Sequence, residues 1–192
     1  MSVKNYVVLK CERAEIRAFI EANHYSHSIN GCMSEFCFAL YRDEKMIGAM
    51  FYGRPAMANQ YKRFSDKAED VIELRRLCCV DDTLKNTESY FIGKSLRWLR
   101  KNSSYRLVIS YADAEHGHAG VIYKAANFSY SHFSKGSRVI DYDDKTYHDK
   151  TIRTKYKGEL KPFALRIKNA LASGLATYRS TKGKHCYVYS LY

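Results

Sequence analysis

Apolar positions recur along this chain in two rhythms. Over residues 12–23, Ile16, Phe19 and Ile20 fall at helical spacing, and Glu12 and Glu15 stand near the end where a helix dipole favours negative charge. Over 89–101, Tyr90, Ile92, Leu96, Trp98 and Leu99 repeat that spacing, with Asn86 or Thr87 placed to cap the helix. Residues 120–126 read as a short helix. Pro162 suits the first turn of another helix over 163–172, which Gly174 stops. The second rhythm is that of strands, at 3–10, 36–41, 46–52, 71–80, 105–111, 128–133, 138–142 and 184–192. Arg42-Asp43-Glu44-Lys45 and Gly53-Arg54-Pro55 punctuate them. Residues 56–70 read as a loop with a short helix, and 151–156 as strand or loop.

The order is strand, helix, two or three strands, helix, strand, helix, then strands. It predicts an α/β (α+β) fold with a mixed central sheet flanked by helices, not a doubly wound sheet of regular βαβ units. With 192 residues and no repeat, low-complexity tract or Pro/Gly-rich linker, the expectation is a single domain over 1–192. Its last portion, from about residue 135 to 192, is basic and rich in tyrosine.

Charge narrows the partners. The net charge of +12 favours an anionic one, whether nucleic acid, membrane surface or phosphorylated cofactor. The 17 tyrosines and 9 phenylalanines supply faces on which bases can stack. Tyrosines interleave with Lys and Arg most densely in the last third, where Arg153, Lys155, Tyr156 and Lys157 are the candidate nucleic-acid contacts. None of the six cysteines forms a C-x-x-C pair, and several lie in apolar runs, which reads as reduced, buried thiols. The N-terminus lacks an apolar signal region, and no run approaches the roughly 18 apolar residues of a membrane span. A soluble cytoplasmic protein, monomer or homodimer, is expected.

Candidate chemistry gathers after the strand at 105–111. Asp113, Glu115, His116, His118 and Tyr123 fall within eleven positions of one another, and polar groups beyond the C-terminal end of a strand are common material for an α/β active site. Asp113, His116 and His118 also have a spacing that a metal tolerates; the alternative is a polar loop whose aspartate caps the next helix. Tyr123 is either an acid/base group or a packed tyrosine with its hydroxyl bonded. Glu73 and Arg75 are costly to bury in an apolar strand, so they line a site or an exposed face; strict alternation puts Arg76 on the other side. His24 and Tyr25 come directly after the first helix, where His24 serves as base, ligand or dipole-stabilised cation. The start of the second helix, with Asn86, Thr87 and Ser89 and then Gly93-Lys94-Ser95, is either an anion site or an ordinary capped end.

Taken together, these segments resemble the GNAT acyltransferase superfamily and, within it, the bacteriophage Mom family of DNA-modification proteins. The resemblance rests on Asn23-His24-Tyr25-Ser26, Glu73-Leu74-Arg75-Arg76-Leu77, Asn86 with Ser89, and Lys184-His185-Cys186-Tyr187-Val188-Tyr189. Its most specific part is Tyr111-Ala112-Asp113 with Gly117-His118, Ile122-Tyr123 and Asn127-Phe128. It implies a transferase that places a carbamoylmethyl-type group on adenine N6 in DNA and shields phage DNA from restriction. It implies His24, Tyr25, Arg75, Asp113 and Tyr123 as catalytic, with Ser89 and His118 beside them. It implies an acyl-CoA-like or other acyl donor near Asn86 and Ser89, and iron near His24, Asp113 or His118. Residues 86–90, Asn-Thr-Glu-Ser-Tyr, depart from the glycine-containing GNAT cofactor loop. An acyltransferase acting on a protein, tRNA or small amine, and a non-catalytic DNA-binding protein, are the alternatives.

Overall fold

Two neighbouring strands are apolar almost without interruption, β2 (Phe36–Arg42) and β3 (Lys45–Gly53). Strands covered on both faces have no solvent side to alternate with, and so read as continuous apolar runs. In the computed structural model, which describes residues 2–192, they lie inside a seven-stranded sheet. Its other strands are β1 (Val7–Cys11), β4 (Val71–Cys79), β5 (Leu107–Asp113), β6 (Ser129–Ser134) and β12 (Lys184–Ser190). The order is β1-β2-β3-β4-β5-β12-β6. β1 to β4 pair antiparallel, and β4 pairs parallel with β5.

The helices bury most of the stripes that their spacing predicts; Phe19, Tyr90 and Trp98 are only partly buried, and Phe91, outside the predicted stripe, is fully buried. α1 (Arg13–Asn23) sets Ile16 and Ile20 against Ala39, Ala49, Phe51 and Cys78. Replacing either isoleucine by alanine removes contacts worth about 2–5 kcal/mol. α2 (Thr87–Asn102) buries Phe91, Ile92, Leu96 and Leu99 in the larger cluster with Phe38, Met50, Ile72 and Val108. α3 (Val121–Ala125) is a short helix that delivers Tyr123 to the same cluster. These parts form one compact unit: the chain up to Ala112, His118–His132 and His185–Tyr192.

The second unit comprises Asp113–Gly117 and Phe133–Lys184. It holds a sheet in the order β11-β7-β8, from β7 (Arg138–Tyr142), β8 (Lys145–His148) and β11 (Thr177–Ser180). It also holds a small hairpin of β9 (Lys155–Tyr156) and β10 (Glu159–Leu160), and α4 (Pro162–Ala172). Its own core is Ile140, Ile167, Ala170 and Ala176.

The departures from expectation are local. The strand expected over 3–10 begins with a 3₁₀ turn, Val3–Asn5. Residues 56–70 contain two such turns, Gln60–Arg63 and Ala68–Asp70. Another, Asp149–Arg153, takes the first half of the stretch 151–156 read as strand or loop, and β9 takes its last two residues. β8 and β11 are short and polar, so no apolar alternation marks them. Among the described residues, no helix is long and apolar enough to cross a membrane.

Candidate active site

The site begins with a bulge. On β4, Arg76 lies opposite Phe51 and Leu74 opposite Tyr52, so Arg75 is an extra residue between them. A bulge breaks the period of two and re-aims side chains. Arg76 is therefore not turned away from its neighbours as alternation predicts. Arg75 Nη2 donates to Cys32 Sγ at 3.4 Å and Arg76 Nε to Ser26 Oγ at 3.1 Å, both in the segment between α1 and β2. Glu73 and Arg75 form an ion pair at 3.6 Å, each side chain only about a tenth exposed (10% and 11%). Glu73 also accepts from the Ala56 amide at 3.0 Å, and Arg75 Nη1 donates to the Arg54 carbonyl at 2.9 Å. Among the described residues the Arg75 Nε, which faces Glu73 in this ion pair, has no partner within hydrogen-bond distance.

Next to this pair the sheet opens. The parallel register of β4 and β5 runs from Val71 opposite Leu107 to Leu74 opposite Ser110 and goes no further. In open α/β sheets such a parting forms a crevice for ligands. Ser110 closes the last step by donating to the Leu74 carbonyl at 3.1 Å. Just beyond it, Tyr111 Oη accepts from Gln60 Nε2 at 2.5 Å. Burial, with the nearby charge of Glu73, pushes the Cys186 thiol up to about 11.

Tyr123 sits at this opening, packed between Phe128 and Tyr187, with ring centroids 5.7 and 5.5 Å away. Its hydroxyl bonds Ser110. Burial pushes it up to about 12, against the pull of Ser110 and with help from Tyr25 and Glu73. The hydroxyl is thus both packed and hydrogen-bonded, and it is a proton donor at neutral pH. The Tyr25 ring lies 4.2 Å from His24 and 5.4 Å from His118, so the three rings form a row. His24 is buried, and its Nδ1 accepts the Ser26 amide at 3.0 Å. An accepting Nδ1 places the neutral ring's proton on Nε2, which makes Nε2 a donor.

Asp113 ends β5 and opens the second unit. Its carboxylate meets Lys184 Nζ at 2.7 Å and accepts the Glu115 amide at 3.1 Å, capping the turn Ala114–His116. Burial raises the carboxyl, but the Lys184 bond and charge outweigh it and hold Asp113 below the usual carboxylate range. At the start of α2, Asn86 occupies the cap position with φ +70° and makes no side-chain cap. Thr87 Oγ1 donates to the Leu84 carbonyl, Ser89 Oγ to the Asn86 carbonyl, and Ser95 is buried against Tyr52. Glu88 adds a negative charge to this first turn. A pyrophosphate fits these residues poorly, since it would meet that carboxylate and no glycine-rich turn.

Among the described residues, no group of three or more His, Cys, Asp or Glu side chains is placed to hold a metal ion. The His24, Asp113 and His118 set expected for iron has no counterpart among them; Asp113 is engaged by an ammonium and His24 Nδ1 by an amide. In the second unit, Lys157 and Gly158, with φ of +48° and +88°, turn the β9–β10 hairpin. Tyr156 stands exposed on it with the Lys157 ammonium 5.6 Å from its ring, and Arg153 pairs with Asp149 at 3.3 Å.

The model of the Mom protein family matches residues 5–192. The chain belongs to the Mom protein family. Among curated relatives, the methylcarbamoylase mom of Escherichia phage Mu is 29% identical over 154 residues, 78% of this chain and 63% of that protein. This Mom-family chain thus spans less than two thirds of the length of that relative. Solved structures fix the fold as that of GNAT acetyltransferases. Arabidopsis thaliana NAA60 in complex with acetyl-CoA aligns over 96% of this chain and 98% of its own, with TM-score 0.57 and 11% identity. A GNAT family acetyltransferase from Elizabethkingia anophelis with acetyl-CoA bound aligns over 97% and 98%, with TM-score 0.55 and 7% identity.

Sequence reasoning named His24, Tyr25, Arg75 and Tyr123, and the first unit holds all four around the end of the β4–β5 register. It underused Glu73, whose buried charge in an apolar strand was a legible signal. It gave Ser26 no role beyond its place in a motif, and missed Cys32, Gln60 and Ser110, whose contacts exist only once the chain folds.

Proposed function

We propose that this Mom-family protein is a phage DNA-modification transferase that places a carbamoylmethyl-type group on adenine N6, protecting the DNA from restriction inside the host cytoplasm. The observation that carries this reading is the family match across nearly the whole chain, joined to a strand-end site rich in hydrogen-bond donors. Adenine N6 is a weak nucleophile because its lone pair is conjugated with the ring. As N6 bonds to the transferred carbon, its proton must leave and the bond from that carbon to its carrier must break. Asp113, a carboxylate at neutral pH as any ordinary aspartate is, is the proposed base, with Lys184 as its counter-ion. Tyr123, protonated at neutral pH, is the proposed donor to the departing group. Arg75, through its guanidinium, and His24, through Nε2–H, are the proposed clamps for an oxygen of the donor. Tyr25 is the proposed stacking face for the adenine, which leaves the duplex to reach the site.

The fold supports an acyl-CoA-like donor, whereas the first turn of α2 suits its pyrophosphate poorly. The proposed DNA contacts, Arg153, Lys155, Tyr156 and Lys157, combine charge with an exposed ring. The deciding experiment is a nucleoside digest, read by mass spectrometry, of DNA from cells expressing the protein. A modified adenine that disappears with Asp113→Ala is expected. Unmodified adenine beside folded protein would overturn the reading. If acetyl-CoA then raised the melting temperature, an acyltransferase acting on another amine would take its place.

A further inference from the structure

One cavity of the first unit lies apart from the residues just assigned. It has a volume of about 340 Å³ and is lined by β1, the turn before it, β2 and α2. Two stripes of like chemistry face each other across it. On one side lie Lys4 from the 3₁₀ turn, Tyr6 that follows it, and Val7, Val8 and Lys10 of β1. Along α2 the four-residue period brings Tyr90, Lys94 and Trp98 to one side. The Lys10 ammonium lies 5.8 Å from the Trp98 ring, and that of Lys94 lies 5.4 Å from the Tyr90 ring.

Lysine stems do cover aromatic surface in many proteins, with the ammonium over a ring face. Coverage alone accounts poorly for this arrangement. Three ammonium groups line one cavity, no carboxylate lines it, and among the described residues none of the three forms an ion pair. Their mutual repulsion is relieved by an anion. The Trp98 ring, held by Phe36 and Phe38 with centroids 5.2 and 5.4 Å away, is a rigid face against which a planar ring can lie. The volume falls within the usual range for small-ligand sites, roughly 300–1,000 Å³.

We propose that this cavity is a nucleotide site: phosphate held by Lys4, Lys10 and Lys94, base against Trp98 and Tyr90. It is distinct from the proposed active site. Trp98 is the only tryptophan of the chain, so its fluorescence reports on this cavity. The test titrates the full chain with adenosine 5′-monophosphate and, separately, with a short oligothymidylate. Saturable quenching is expected, weakened roughly tenfold in a Lys10→Ala/Lys94→Ala variant by loss of two phosphate contacts. Both lysines are exposed, so the variant's melting temperature should match the parent's, and Tyr123→Phe should leave the quenching intact. Quenching by both ligands identifies a mononucleotide site; quenching by the oligonucleotide alone identifies a track for a nucleic-acid strand. No saturable quenching by either, or quenching unchanged in the double variant, overturns the proposal. The nucleoside digest is a separate readout, so failure here leaves the modification reading standing.

Discussion

The Tyr123 hydroxyl is buried, bonded to Ser110 and pushed up to about 12, so it is a donor through the whole neutral range. Tyr123→Phe keeps the ring between Phe128 and Tyr187 and removes only the oxygen. Stability should change by about 1 kcal/mol or less, while modified adenine falls by roughly 10²-fold or more. Urea unfolding and the nucleoside digest read the two effects separately. Asp113 makes the opposite case. Its carboxyl is held low, so the stability it adds is present above the unfolded carboxyl's value of about 3.9 and is lost as pH falls through the lower folded value. Lys184→Met removes that hold, so acid unfolding should begin at higher pH. Lys184 is half exposed, which keeps the change at neutral pH to about 1 kcal/mol or less. A midpoint unmoved from the parent's would show that the ion pair does not set the acid limb.

At the scale of elements, α3 is five residues long and is held by what enters it. Gly120 precedes it with φ +72°, and a Cβ there would lie 2.2 Å from the Tyr187 ring. That ring is fixed in turn by its hydroxyl, which donates to the Ala119 carbonyl at 2.7 Å. Gly120→Ala combines left-handed strain of about 1–3 kcal/mol with a collision. It should lower the urea midpoint sharply and remove activity together with Tyr123's position. The elements were largely legible in advance, because helical and strand periods are local properties of the chain. α1 and α2 match most of their stripes, α4 follows its Pro162 start, and β2 and β3 match their apolar runs. β8 and β11 were not legible: they are short and polar, and pairing with β7 alone makes them strands. The bulge at Arg75 was hidden for a similar reason, since an extra residue exists only relative to the strand opposite.

For the molecule as a whole, burial of ionisable groups sets the alkaline limit. Cys78 is pushed up to about 12, Cys186 to about 11 and Tyr123 to about 12, chiefly by desolvation. Raised folded values mean stability that is complete below the unfolded values, about 8.5 for a thiol and 10 for a phenol, and lost as pH rises through the folded ones. The urea midpoint should hold at neutral pH and fall progressively above about pH 9. The same thiols should react slowly with a thiol reagent until the protein unfolds. Rapid labelling of the native protein would contradict their burial.

The chain's own order of residues determined the alternation of elements, the basic and tyrosine-rich balance, and the short motifs around His24, Arg75, Asp113 and Tyr123. Each is a matter of neighbours within a few positions, or of composition. The chemistry open to those residues was decided only in three dimensions. Arg75 and Arg76 reach the same loop because β3 pairs around a bulge. His24 is a donor through Nε2 because the Ser26 amide occupies Nδ1. Tyr123 keeps its proton because burial beside Phe128 and Tyr187 outweighs the pull of Ser110. Burial, register and desolvation are properties of distant segments brought together, and no local pattern encodes which segments will meet.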